Sequence, residues 1–132
     1  MKYMLDTNTC IFIIKQDENV LHHLKNIDFK EICISSITLA ELEFGVAKGQ
    51  HIEKNTKALK SFISNFQVLS FDENASNEYG KIRAYLENNG NKIGAMDMLI
   101  AAHAKSENLI LVTNNTREFN RVDGLHIQDW KS

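Results

Sequence analysis

A chain of 132 residues, 43% hydrophobic and 24% charged, is long enough to bury one core, too short for two comfortable ones, and outside the compositions that stay disordered. Fifteen basic against 17 acidic residues give a net charge of -2, which argues against broad nucleic-acid binding through net charge alone. An acidic pocket with a basic rim would give the same total, so a nucleic-acid substrate is not excluded. No apolar run approaches the roughly 20 residues needed to span a bilayer, and the apolar N-terminal stretch is cut by Asp6, unlike a signal peptide. Cys10 and Cys33 lie inside apolar segments without zinc-site spacing; buried thiols are expected ahead of a disulfide, as suits a reducing cytoplasm.

Proline is absent, so boundaries rest on periodicity, glycine and capping residues. Lys2 to Leu5 reads as a short buried strand ending at Asp6-Thr7-Asn8. A helix then carries Ile11 and Ile14 inward, and a second covers Val20 to Lys25. Ile32-Cys33-Ile34 is a strand running into Ser35-Ser36. Ile37 to Lys48 turns helical, with Leu39, Leu42 and Val46 on one side and Gly49 as its stop. Ile52, Thr56, Leu59, Phe62, Ile63 and Phe66 recur at helical spacing. Val68 to Phe71 suggests another strand, and Asp72 an N-cap for a helix through Tyr79, Ile82 and Leu86 that stops at Asn88-Asn89-Gly90. Ala95 to Ala104 is apolar on nearly every side apart from Asp97 and His103, which predicts a buried helix. Leu109 to Val112 forms a strand, Arg117 to Phe119 a helical turn, and Ile127 a last short strand.

Strands separated by helices predict an α/β domain over residues 1–132, with a mostly parallel central sheet and helices on both faces. Ligands in such sheets bind at the carboxyl ends of the strands. Asp6 and Asn115 follow two strands, Glu41 lies about one turn into the helix after a third, and Asp97 lies in the first turn of the apolar helix. Four polar groups far apart in sequence can therefore meet at one sheet edge. Carboxylates there suit Mg2+ or Mn2+, which acidifies a bound water and neutralises the charge that grows during phosphodiester hydrolysis. Asp6 and Asp97 are the expected direct metal ligands and Glu41 a further ligand or the water-orienting base. Asn115 or Glu118 completes the site.

The residues in hand resemble the PIN-domain toxins of bacterial toxin–antitoxin pairs, the VapC family, over essentially the whole length. The matching segments are Met4-Leu5-Asp6-Thr7-Asn8, Ser36-Ile37-Thr38-Leu39-Ala40-Glu41-Leu42 with Gly45, Ile93-Gly94-Ala95-Met96-Asp97 with Ile100-Ala101-Ala102-His103-Ala104, and Val112-Thr113-Asn114-Asn115 with Glu118-Phe119. Each is weak alone; four in order are specific. The resemblance implies a PIN-like fold and an Mg2+- or Mn2+-dependent endoribonuclease held inactive by a VapB antitoxin. It also implies a homodimer and a larger toxin–antitoxin hetero-oligomer. The family's first three acidic positions fall on Asp6, Glu41 and Asp97; the fourth, often Asp, falls on Asn115, with Glu118 nearby to supply the charge. The subgroup ending in an Asp-Trp pair, like Asp129-Trp130 here, implies cleavage of initiator tRNA in the anticodon loop.

Blander readings compete. Asp6 alone could be a helix N-cap, and Glu41 a solvent-facing residue. Asp97 among Ala95, Met98, Leu99 and Ile100 is costly unless it binds something. Thr7, Asn8, Ser36, Thr38 and Thr113 suit turns and caps, while Asn8 and Thr113 could also hydrogen-bond the acids. His103 reads as a satisfied core histidine. Lys15, Lys48, Lys92, Arg117 and Arg121 flank the proposed site and together could guide a phosphate backbone. A haloacid-dehalogenase-type phosphatase would want Asp where Asn8 stands, and a receiver-domain acid set is missing. The non-enzymatic alternative is a PIN-like scaffold that binds RNA or protein without cutting.

Overall fold

The three interior strands of the sheet carry side chains buried on both faces, which is what an all-parallel sheet covered on both sides demands. The computed structural model describes all residues, Met1–Ser132, in the order β1 (Tyr3–Leu5), α1 (Thr7–Ile14), α2 (Glu18–Leu24), a 3₁₀ turn (Phe29–Glu31), β2 (Ile32–Ser35), α3 (Ser36–Ala47) and α4 (Ile52–Ile63). There follow β3 (Gln67–Leu69), α5 (Glu73–Asn88), α6 (Ala95–Ser106), β4 (Ile110–Val112), α7 (Thr116–Phe119) and β5 (Ile127–Gln128). The sheet order is β3-β2-β1-β4-β5, and every pairing is parallel.

Strand registers sort the core into two layers. Met4 lies opposite Cys33 and Leu111, while Leu5 lies opposite Ile34 and Val112. Because successive side chains point to opposite faces, Met4, Cys33 and Leu111 pack with Ile82 and Leu86 of α5, with Ile100 of α6 and with Phe119. Leu5, Ile32, Ile34 and Val112 pack on the other side with Cys10, Val20, Leu24, Leu42, Leu59, Phe62 and Trp130, drawn from α1 to α4 and the C-terminal segment. Both cysteines are free and buried, one in each layer, as the sequence suggests.

Some expected boundaries shift. The third strand is Gln67–Leu69, not Val68 to Phe71, because the Phe71 N–H donates to Ser36 Oγ at 3.0 Å instead of to a neighbouring strand. The helix expected to reach Phe66 ends at Ile63. Phe66 follows in a turn, yet its ring still meets Phe62 at 5.1 Å, so the apolar spacing outlasts the helix. The helix expected from Val20 begins earlier, at Glu18, where the Asp17 side chain caps it. The apolar α6 is buried through Ile100 to Ala104, but its first turn is open and Met96 is 44% exposed. Asn88-Asn89-Gly90 does end α5, and Gly90 at φ 68° takes the left-handed conformation that a stop needs.

No helix is long and apolar enough to cross a membrane. The order of strands also locates the binding edge. From β1 the chain builds outward through β2 and β3, then crosses back to place β4 on the other side of β1. The carboxyl ends of β1 and β4 therefore flank the switch point where such sheets open a crevice.

The C-terminal segment closes the far end of the sheet. Trp130 is 2% exposed, stacks on His23 at 5.9 Å and meets Tyr3 edge-on at 5.5 Å. Lys131 pairs with Asp17 at 2.8 Å. Trp130→Ala is expected to lower unfolding stability by about 3–5 kcal/mol, the usual cost of emptying a large aromatic site, in a urea melt, while leaving the acidic edge in place.

Candidate active site

Asp6 is the first residue beyond β1 and the N-cap of α1. The N-cap reading holds, since its side chain accepts the Thr9 N–H at 2.8 Å, and Asp6 also lies within electrostatic reach of Glu41 and Asp97. Its own N–H donates to the Val112 carbonyl at 3.0 Å, and Thr9 Oγ1 donates to the same carbonyl at 3.0 Å. The start of α1 is thus tied to the end of β4. Burial raises the proton affinity of Asp6; the Thr113 hydroxyl and the Thr9 contacts lower it, and the Glu41 charge raises it.

Glu41 sits in the second turn of α3, half-buried. Thr7, the first residue of α1, donates its hydroxyl to Glu41 Oε1 at 2.5 Å. Beyond this contact α1, α3 and α4 enclose a groove of about 330 Å³ lined by Ile11, Ile14, Leu42, Val46 and Leu59, with Glu41 and Lys15 on its walls.

Asp97 lies in the first turn of α6, behind the N-cap Gly94. Burial pushes its pKa up to about 6, with the charges of Glu118, Asp6 and Glu41 and a hydrogen bond to Glu118 adding to the effect. Glu118, in the first turn of α7, also accepts from Asn115 Nδ2 in a short contact. Asn115, whose N–H donates to Thr113 Oγ1 at 3.0 Å, therefore contributes through Glu118. Asp6, Glu41, Asp97 and Glu118 act on one another electrostatically at the switch point, with Asn115 at the margin.

These four carboxyl groups present only hard oxygen donors, the set that Mg2+ or Mn2+ prefers. Their mutual repulsion is the strain that a divalent cation relieves. As the side chains lie, no three of them close into a cage around an ion. Magnesium holds several waters and needs only one or two direct carboxylates, so an open cluster fits it better than a closed pocket would.

The surroundings are sorted just as clearly. Thr113 is buried and hydrogen-bonds Asp6, as expected. Asn8 does not join it: the residue is exposed, and Thr9 fills the supporting role. A spacing of three from an N-cap was the signal that could have found Thr9. His103 is buried, with Nδ1 against Ser35 Oγ at 2.7 Å. Its other nitrogen has no partner, so this core histidine is only half satisfied, and burial lowers its pKa. Arg121 donates to the Lys92 carbonyl at 2.9 Å, joining two basic residues beside Asp97 and Glu118 in the chain. Lys48 caps the far end of α3, roughly 10 Å along the helix from Glu41 at 1.5 Å per residue. It rests 5.2 Å over the Phe44 ring and does not flank the site.

An all-parallel sheet with carboxyl groups gathered at its switch point is the layout of a PIN domain, and the family model for the PIN domain matches residues 3–125. The chain belongs to the PIN-domain family, among its VapC ribonucleases. It is 46% identical over 98% of both chains to a Shigella flexneri protein named tRNA(fMet)-specific endonuclease VapC. It is 42% identical to Ribonuclease VapC2 of Haemophilus influenzae, again over 98% of each chain. In the crystal structure of DNA-bound VapBC from Salmonella typhimurium, a chain 46% identical to this one superposes with a TM-score of 0.94 over 98% of both.

The raised Asp97 pKa carries a sign. Between the ordinary carboxyl value of 3.8 and about 6, the folded protein keeps a proton that the unfolded chain releases. The stability this group contributes is therefore full below that window and is lost as pH rises through it. Without divalent ions, Asp97→Asn is expected to melt on the order of a few degrees above wild type at pH 7.5. At pH 4, near the bottom of that window, most of that gap should close; a gap independent of pH in differential scanning fluorimetry would contradict the assignment.

Proposed function

We propose that residues 1–132 form one PIN-like domain that acts as a divalent-metal-dependent endoribonuclease, the toxin of a VapBC-type pair, working in the cytoplasm. The observation that carries this reading is the meeting of Asp6, Glu41, Asp97 and Glu118 at the β1–β4 switch point. Divalent-metal dependence is general to the VapC nucleases, and an Mg2+ or Mn2+ ion bound here would supply charge neutralisation and a more acidic water. Asp6 and Asp97 would hold it, since both are fixed beside helix N-termini at the crevice. Glu41 would orient the attacking water or complete the ligand set. Glu118, held by Asn115, takes the place of the family's fourth acid. Lys15, Lys92, Arg117 and Arg121 would meet the phosphate backbone and set its direction across the acids.

The non-catalytic alternative, a PIN-like module that only binds RNA or protein, loses ground because burial and repulsion make this cluster expensive to keep without a cation. The relative named for tRNA(fMet) supports tRNA, and specifically initiator tRNA, as substrate; cleavage would fall in its anticodon loop. VapBC complexes among the similar structures support a VapB-type antitoxin as partner. The groove between α1, α3 and α4 suits such a partner, because an apolar segment lying in it would also cover Glu41. A homodimer within a larger toxin–antitoxin complex completes this reading.

Sequencing RNA 5′ ends from cells expressing wild-type or Asp6→Ala protein tests the function directly. Wild type should produce ends concentrated at one tRNA position that vanish with the mutant; identical end profiles would favour the binding module. In vitro, Asp6→Ala or Asp97→Ala should lose cleavage by at least about 100-fold, on the scale of removing a catalytic metal or its base, with folding retained by circular dichroism. Millimolar Mg2+ or Mn2+ should raise the wild-type melting temperature and leave that of Asp6→Ala unmoved.

A further inference from the structure

The four carboxyl groups of the cluster are not held alike. Asp6 accepts the Thr9 N–H as the N-cap of α1 and is also relieved by Thr113. Asp97 lies in the first turn of the 12-residue α6, where the helix end favours negative charge. Glu118 accepts from Asn115. Glu41 differs: it is the sixth residue of α3, beyond the single turn over which a helix terminus acts. Its hydrogen-bond donor is the hydroxyl of Thr7, 34 residues earlier in the chain.

We propose that Thr7 is a positioning residue for Glu41, holding Oε1 so that the second carboxylate oxygen is presented to the reacting water or the metal. This rests on the reading of the cluster as a nuclease centre. Three observations converge on it. The 2.5 Å contact has the length of a charge-assisted hydroxyl–carboxylate bond, among the stronger hydrogen bonds available to a side chain. Glutamate has three rotatable side-chain bonds, and Glu41 borders the apolar groove as well as the acids, so without an anchor its head is free to swing into the groove. The anchor itself is rigid: Thr7 follows Asp6, and α1 is tied to the end of β4 by the Asp6 N–H and the Thr9 hydroxyl. Thr7 thus hands the fixed position of β1 and β4 across to α3, a helix that reaches the site from the next strand. Turn and capping propensity accounts for Thr at this position equally well in sequence, but a cap needs no partner on α3. The distance to Glu41 is what separates the two.

The test compares Thr7→Val, which keeps the shape and removes the donor, with Thr7→Ser, which keeps the donor. Valine should lower kcat for RNA cleavage by about 10–100-fold, the range for residues that orient metal ligands, with KM for RNA unchanged. Serine should restore kcat to within about threefold. In a Glu41→Gln background Thr7→Val should add little further loss, because the two changes act through one carboxylate. A second readout does not need activity: the Mn2+ concentration at half-maximal thermal stabilisation should rise about tenfold in Thr7→Val and return with Thr7→Ser. Equal kcat and equal Mn2+ response for wild type and Thr7→Val would overturn the proposal while leaving the nuclease reading intact, as would equal losses in the Val and Ser variants. A wild-type protein that cuts no RNA but loses Mn2+ response on Thr7→Val, with Ser restoring it, would overturn the nuclease reading and keep Thr7 as the anchor of Glu41.

Discussion

Like charges at a half-buried sheet edge repel, and the packed core of this fold holds four of them together against that force. Burial first, and the neighbouring charges after it, raise the proton affinities of Asp6 and Asp97. The opposing terms are local and identifiable: hydrogen bonds from Thr9 and Thr113 to Asp6, the α6 N-terminus behind Asp97, and Asn115 against Glu118. Beneath them lie the neighbouring strands β1 and β4, whose residues Met4, Leu5, Leu111 and Val112 are wholly buried. Moving Asp6 or the β4 end outward would require disrupting that packing, so the core is what keeps the acids close.

Much of this architecture was legible in the chain. Strand and helix order, the Asp72 cap, the Gly90 stop and the position of Asp97 follow from periodicity and capping chemistry, which are local properties. Asp97 was the most readable of the acids, because a carboxylate in so apolar a helix has few structural excuses. Less was visible where geometry depends on distant partners. Whether Asn8 or Thr9 supports Asp6 depends on the pitch of a helix that begins at Thr7. The donation from Thr7 to Glu41 crosses 34 residues, and no spacing rule encodes it. The exit of β3 differs from the expected one for a similar reason: Phe71 is β-compatible in isolation, but its N–H is claimed by Ser36.

Asn115 reaches the cluster only through its neighbour on α7. Its amide cannot carry the charge expected at that place, yet it hydrogen-bonds Glu118, whose charge acts on Asp97. The apolar groove adds a second theme. Glu41 belongs to the cluster through Thr7 and to the groove through Leu42 and Val46, so any segment seated between α1, α3 and α4 would reach the chemistry through that one side chain.

The central claim is that acids from four separate segments serve one cation. Crystals containing Mn2+, recorded where manganese scatters anomalously, test it most directly. The expected result is an anomalous peak at the switch point, with oxygens of both Asp6 and Asp97 within roughly 2.0–2.3 Å, close to the distances of a small octahedral cation. A manganese peak elsewhere on the protein, with Asp6 and Asp97 unligated at saturating Mn2+, would contradict it.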